Sequence, residues 1–278
     1  MRLTNYTRQS RSIPRRLLRE GKPHLLPLYG LMLTSDLARE GILRSGSFRF
    51  ADHVYRARPS GRFGVGYLLD AVLLRLPAAR SMRSRYLHSR DQIVAEVRRC
   101  GARKDVITVA SAPCGIAREL VEASDVLAAD RSLRERVSFV GIDLDDEPLA
   151  LSRQLVGERA GFGFSQGDVF DRASYPEYPR SDVIVSTGLA DFLDDAGATR
   201  FFETCRAVLE PGGLLVTSAQ RPQPVADYLM RELAELRPTY RDAEQISTVV
   251  RNAGFVDVAA VPDRVGYQTL VTARAPTR

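Results

Sequence analysis

From residue 106 onward the chain repeats one pattern: an apolar run of four to six residues, a turn residue or carboxylate, then a stretch of helical periodicity. Five segments show it, at 106–120, 137–145, 164–170, 181–189 and 209–218. Short apolar runs alternating with helical stretches imply a parallel sheet with helices on both faces. Helices are expected at 116–129, 146–159, 196–208, 224–236 and 242–253. The end of the chain departs from the pattern. Phe255–Val261 and Tyr267–Ala273 are two strands joined by a short turn-rich loop, and they should pair as an antiparallel hairpin.

The first 90 residues read differently. Residues 1–14 are polar and basic, an arm ahead of the folded part. Residues 15–90 are mostly helical with breaks. Ser35–Gly41 has the signature of a short capped helix ending on glycine, and Gly61, Gly64 and Gly66 mark a loop. An apolar helix follows, stopped by Pro77, and 91–100 is an amphipathic helix with Ile93, Val94 and Val97 on one face. The domain reading is therefore 1–90 as an N-terminal substrate-selecting region and 91–278 as the ligand-binding domain.

Composition excludes several classes. The apolar fraction is 44% and the charged fraction 27%, ordinary for a globular protein. No apolar stretch approaches the roughly 18 residues of a membrane span, and no secretory h-region follows the basic N-terminus. No membrane partner is expected. Cys100, Cys114 and Cys205 are far apart, so neither a disulfide frame nor a metal site is indicated, and a cytoplasmic location is the default. The net charge of +6 conceals an asymmetry: residues 1–104 carry a net +15 and residues 105–278 a net −9. That asymmetry suits either a basic region packed on an acidic domain, in a monomer or across a homodimer, or a nucleic-acid surface. The arginines are scattered, without interleaved aromatics to act as stacking platforms.

In an open parallel sheet, ligands bind at the carboxyl ends of the strands. The first end carries the small-residue loop Ser111-Ala112-Pro113-Cys114-Gly115-Ile116-Ala117, which lets a backbone approach a ligand. The second ends on Asp143, followed by Leu144; a carboxylate there can accept from both hydroxyls of a ribose. The third ends in Gly167-Asp168-Val169, where a carboxylate can accept from an adenine amine and the next N–H can meet a ring nitrogen. As structural features alone, these would be a tight turn, a helix cap and a turn Asp.

On these segments the chain resembles the class I S-adenosylmethionine-dependent methyltransferases. The resemblance spans about 104–275 and also takes in Gly141-Ile142-Asp143, Leu209-Glu210-Pro211-Gly212-Gly213 and the terminal hairpin preceded by Ala253-Gly254-Phe255. It implies an α/β, Rossmann-like fold with a seven-stranded, mostly parallel sheet and an antiparallel terminal strand, plus a mostly helical N-terminal lid. It implies S-adenosylmethionine as cofactor, with Ser111, Pro113, Cys114 and Gly115 against the methionine part. Asp143 and Leu144 would hold the ribose, Gly167, Asp168 and Val169 the adenine, and Thr187 and Gly188 would line the cofactor side. Arg85 and Tyr86 would meet its carboxylate and amino ends. The departure lies in the first loop, where the family shows GxGxG after an acid and this chain has Pro113-Cys114-Gly115-Ile116-Ala117 after Ser111.

The implied activity is methyl transfer to a small molecule. Candidate catalytic groups are Asp191 beyond the fourth strand, Tyr86, and His53 in the N-terminal region. No metal is called for. Rival readings are an enzyme acting on S-adenosylmethionine itself and releasing methylthioadenosine, a nucleic-acid methyltransferase using the basic N-terminal region, and a non-catalytic binding module. A nicotinamide dehydrogenase is disfavoured because GxGxxG is absent.

Overall fold

The computed structural model describes residues 7–8, 13–176 and 180–277, with the side chains of 7–8 left aside. Most of the expected N-terminal arm lies outside the described residues. The chain forms two compact units, one of residues 1–83 and 222–238, the other of 84–221 and 239–278.

The first unit holds α1 (Ile13–Arg19), α2 (Leu26–Met32), α3 (Asp36–Leu43), α4 (Phe48–Arg56) and α5 (Val65–Arg75). A short antiparallel pair joins Thr7–Arg8 to Arg44–Ser45. Ser35 and Ser47 cap α3 and α4, accepting from Ala38 N–H and Arg49 N–H, as hydroxyls at helix starts do. Gly41 does not end its helix. α3 runs on to Leu43, because Gly41 packs against Phe50, where a Cβ would lie 3.1 Å from the ring. Two of the three loop glycines also act as contacts. Gly66 sits inside α5 against Thr34, and a Cβ on Gly61 would meet the Gly66 carbonyl carbon at 2.5 Å. Ile13, Leu17, Leu25 and Ile42 form one small core, and Leu37, Val54, Leu74 and Ala79 a second.

Pro77 stops α5 and also opens α6 (Pro77–Gly101), a 25-residue helix that absorbs the expected 91–100 segment. Proline is tolerated there because a first-turn N–H has no helical partner to lose.

The second unit follows the alternating pattern: β1 (Ile107–Ser111), α7 (Arg118–Leu127), α8 (Arg131–Arg134), β2 (Val137–Asp143), α9 (Asp146–Val156), β3 (Phe162–Gln166), β4 (Ser181–Ser186), α10 (Asp195–Val208) and β5 (Leu209–Gln220). The chain then gives α11 (Pro224–Ala234) to the first unit, where Leu233 joins the α1 core and Glu232 receives Lys22 at 2.7 Å. It returns as α12 (Ala243–Asn252), β6 (Val256–Pro262) and β7 (Gln268–Arg274).

The sheet order is β3-β2-β1-β4-β5-β7-β6; β7 alone runs antiparallel to its neighbours. This is the seven-stranded Rossmann-like arrangement expected, including the terminal hairpin. The central strands β1 and β4 are buried on both faces, which explains why they read as unbroken apolar runs, whereas the edge strands β3 and β6 are largely exposed. Phe201, Phe202 and Cys205 of α10 and Ile246, Val249 and Val250 of α12 cover Ile184, Leu215 and Val271. Ile93 and Val97 of α6, Leu120 of α7 and Leu149 of α9 cover Val109, Val183, Val185 and Val216 on the other face. Arg274 at the end of β7 grips Glu96 of α6 through two bonds, at 2.5 and 2.9 Å. Burial opposes the Glu96 charge, but Arg99 and Arg274 outweigh it and hold the carboxyl down at about 2.

Candidate functional site

The order reverses between β1 and β4, the place where an open α/β sheet leaves a crevice beyond its strand ends. The site is built there from β1. Ser111, where the family pattern has an acid, donates its hydroxyl to Glu119 of α7 at 2.7 Å. Glu119 is wholly enclosed, and burial raises its carboxyl above the ordinary glutamate range against the pull of the Ser111 bond. Sequence reasoning missed Glu119. The available signal was an acid one turn beyond a loop whose strand-end acid is absent.

The amides of the loop are largely committed within the protein. Ala112 N–H donates to Val185 O at 2.9 Å, Cys114 N–H to Ile142 O at 2.8 Å, and Ala117 N–H to Ser152 Oγ at 3.0 Å. The Ala112–Pro113 peptide is cis, and Gly115 takes a positive φ of 50°. Cys114 is buried, with Sγ 3.1 Å from where a Cβ on Gly141 would lie. Burial and the Asp143 and Glu119 charges push its thiol well above the ordinary value, the opposite of an activated nucleophile.

Asp143 ties the first three strand ends together. Its Oδ2 accepts Gly115 N–H at 2.9 Å, Oδ1 accepts Asp145 N–H at 3.1 Å, and its carbonyl accepts Gly167 N–H at 2.9 Å. It is 1% exposed. Leu144 is half-buried, its carbonyl held by Gln166 Nε2 at 2.9 Å. Asp168, by contrast, is exposed, with Oδ1 accepting Phe170 N–H at 3.0 Å in an Asx turn. Val169 is buried, its carbonyl taking the Tyr175 hydroxyl at 3.0 Å.

Beyond β4, Thr187 and Gly188 are half-buried, and Gly188 takes φ 97°. The Arg85 guanidinium lies over Gly188, 3.2 Å from where a Cβ would be. It also approaches Asp191 Oδ2 at 3.7 Å. Asp191 falls in a 3-10 turn, 2% exposed, with Oδ1 accepting Gln220 N–H at 2.8 Å. Burial pushes its carboxyl up to about 6, only partly offset by the Arg85 charge. Arg241, absent from the sequence-based candidates, braces this turn by donating to the Ala190 and Leu193 carbonyls at 2.6 and 2.7 Å. Burial and the neighbouring Glu122 and Glu119 carboxylates hold the Tyr86 phenol protonated, far above its ordinary range.

One further candidate, His53, lies in the first unit. His53 Nε2 meets Asp70 Oδ2 at 2.7 Å. Asp70 is fully buried, and it also accepts from Ser35 Oγ at 2.6 Å, Leu37 N–H at 2.9 Å and Ser60 N–H at 3.1 Å. Its one sequence signal was a lone acid in an otherwise apolar helical run. Arg83 donates to the Leu74 and Val54 carbonyls at 2.8 and 3.4 Å. Among the described residues, no group of three or more His, Cys, Asp or Glu is placed to hold a metal ion. No described helix is long and apolar enough to cross a membrane.

The buried polar atoms at this end of the sheet point outward from the protein's own bonding. Ser186 Oγ, Ser218 Oγ, Thr269 Oγ1 and Gln268 Oε1 have no hydrogen-bond partner among the described residues. All four sit in the last positions of β4 and β5 and the first of β7. Buried polar groups are normally satisfied; Ser181 Oγ, at the opposite end of β4, is unpartnered as well among the described residues.

Comparison with known proteins agrees with this geometry. No curated protein matches the sequence. A crystal structure from Bordetella parapertussis, described as a "possible exported protein", is similar at 26% identity and a TM-score of 0.76, over 96% of this chain and 94% of that one. Magnesium protoporphyrin IX methyltransferase from Synechocystis, solved with bound S-adenosylhomocysteine, shares the fold at 12% identity and a TM-score of 0.52, over 80% of this chain and 92% of that one. Human N-acetylserotonin methyltransferase, solved with S-adenosylmethionine, does so at 15% identity and a TM-score of 0.51, over 87% and 70% of the two chains. The family model described as "Putative methyltransferase" matches residues 36–275. With its Rossmann-like sheet and the match over most of its length, the chain belongs to this methyltransferase family.

Proposed function

We propose that this chain binds S-adenosylmethionine at the carboxyl ends of β1 to β4 and transfers its methyl group to a small-molecule acceptor. The observation that carries the reading is the junction at Asp143, whose carboxylate holds the first loop and whose carbonyl holds the third strand end. One residue thereby fixes the ribose-side carboxylate and the Gly167-Asp168 turn relative to each other. The donor set fits the cofactor. Asp143 stands at the ribose position with its carboxylate oriented by the Gly115 and Asp145 amides, exposed Asp168 offers acceptor oxygens to an adenine amine, and Arg85 over Gly188 brings a guanidinium to the cofactor side. The unpartnered oxygens of Ser186, Ser218, Thr269 and Gln268 suit a polar ligand.

S-adenosylmethionine supplies an already activated methyl group, so alignment of donor and acceptor provides much of the acceleration. The chain's residues bind and orient. A base is needed only where the acceptor must lose a proton. Asp191, with its carboxyl near 6, is the group of the second unit poised to take one close to neutral pH. Tyr86, held protonated, serves as a donor and not as a base. The three cysteines are free and buried, which supports a reducing, cytoplasmic setting.

The test has two steps. Saturable S-adenosylmethionine binding is measured by calorimetry, and the protein is then incubated with the cofactor, with and without cell extract, and the nucleoside product identified by mass spectrometry. S-adenosylhomocysteine appearing only with extract is expected. No binding, or methylthioadenosine from the cofactor alone, would overturn the reading.

A further inference from the structure

A helix at the surface of a globular protein ordinarily turns a polar face to water. α5 does not. Its inner face carries Gly66, Asp70 and Leu74, all buried. Its outer face carries Val65, Leu68 and Val72, with Leu76 at the C-cap, exposed by 47%, 65%, 56% and 44%. The spacing of three, four and four residues places these four on one stripe. Phe63, in the turn just before the helix, is 86% exposed and takes a positive φ of 58°, rare for a large side chain. Tyr67 adds a further half-exposed ring.

The exposed charges between residues 53 and 80 have one sign, with Arg56 paired to Asp52 at 3.8 Å. Arg56, Arg58, Arg62, Arg75 and Arg80 are all exposed. The single acid between residues 53 and 80 is Asp70, which is fully buried and bonded to four donors. A second copy of the chain meeting this face with the same face, as a two-fold dimer requires, would set arginine against arginine. Single-stranded nucleic acid would use the two rings for stacking, but has no use for a row of Val and Leu side chains. A bilayer bearing anionic headgroups takes both features at once: apolar side chains enter the acyl boundary while guanidinium groups remain at the phosphate level.

We infer that the Phe63 turn and the outer face of α5 form a docking surface for an anionic lipid bilayer. This goes beyond methyl transfer and concerns where the protein works. Docking of this kind inserts no spanning segment.

The full chain is sedimented with phosphatidylcholine vesicles with and without phosphatidylglycerol. Binding is expected only to the anionic vesicles, weakening as salt is raised. Phe63→Asn with Leu68→Gln keeps a residue tolerant of positive φ at 63 and a helix former at 68. It should lower the partition coefficient at least about tenfold with unchanged circular dichroism. Arg62→Glu with Arg75→Glu, which leaves the apolar stripe intact, should lower it by a similar factor. The inference fails if the wild type ignores anionic vesicles or binds neutral ones equally well. It fails also if the stripe instead supports a lipid-free dimer, seen by sedimentation velocity and broken by the first variant. Displacement of vesicles by RNA, with the apolar variant binding as well as the wild type, would equally overturn it.

Discussion

Ser111 Oγ donates to Glu119 Oε1 at 2.7 Å, so the carboxylate missing from the end of β1 is supplied from the first turn of α7. The substitution has a measurable price in pH dependence. The folded value of Glu119 lies above its unfolded one. Its stability contribution is therefore complete below the ordinary glutamate range and is lost as pH rises through the raised value. Glu119→Gln keeps an acceptor for Ser111 and cannot ionise. In denaturant titrations the variant should gain on the wild type as pH rises from the ordinary glutamate range through the raised value, and parallel curves would refute the account.

Asp143 and Asp168 should separate fold from binding. Removing the Asp143 carboxylate strands the Gly115 and Asp145 amides, so Asp143→Ala should cost about 2–3 kcal/mol of stability and also abolish cofactor binding. Asp168 is exposed and makes one local bond. Asp168→Ala should leave the thermal midpoint nearly unchanged while weakening cofactor affinity about tenfold, read by calorimetry.

Asp191 carries a second pH signature. Its carboxyl stands near 6 in the fold against 3.8 for an ordinary aspartate. A raised value means that stability is present below the unfolded value and declines as pH rises through about 6. The decline from this one group amounts to about 3 kcal/mol. Asp191→Asn retains an acceptor for Gln220 N–H and should lack that component in melts taken across the interval. If methyl transfer draws its base from Asp191, the acid limb of the rate profile disappears in the same variant.

Asp70 joins four segments of the first unit through Ser35, Leu37, His53 and Ser60. Asp70→Ala leaves buried donors unpaired and should cost about 3 kcal/mol or more, whereas His53→Ala, which removes one of the four donors, should cost about 1 kcal/mol. Equal losses in chemical denaturation would show that the His53 bond carries all of the Asp70 contribution and that the other three donors add nothing.

What the sequence disclosed follows from periodicity and from turn chemistry. The strands of the parallel sheet were legible because burial on both faces requires unbroken apolar runs, as in Ile107–Ser111. That Asp143 and Asp168 stand at strand ends was legible because strand ends are marked by the elements on either side. Glu119, Asp70 and Arg241 were not legible as site or hub residues. Each acts through a contact made far along the chain or buried at a helix start, and in the sequence each is one charge among 74. Pro77 was read as a stop because the rule that it ends one helix says nothing of its aptness to begin the next.

The first unit takes residues from both sides of the second, so the chain passes between them three times, at 83–84, 221–222 and 238–239. No single peptide cleavage can therefore release either unit. A nick in any one connection leaves two covalent tethers, or one tether and a packed fragment, and the severed ends stay at high local concentration. Limited proteolysis should yield nicked protein that still elutes as one species until a denaturant is added.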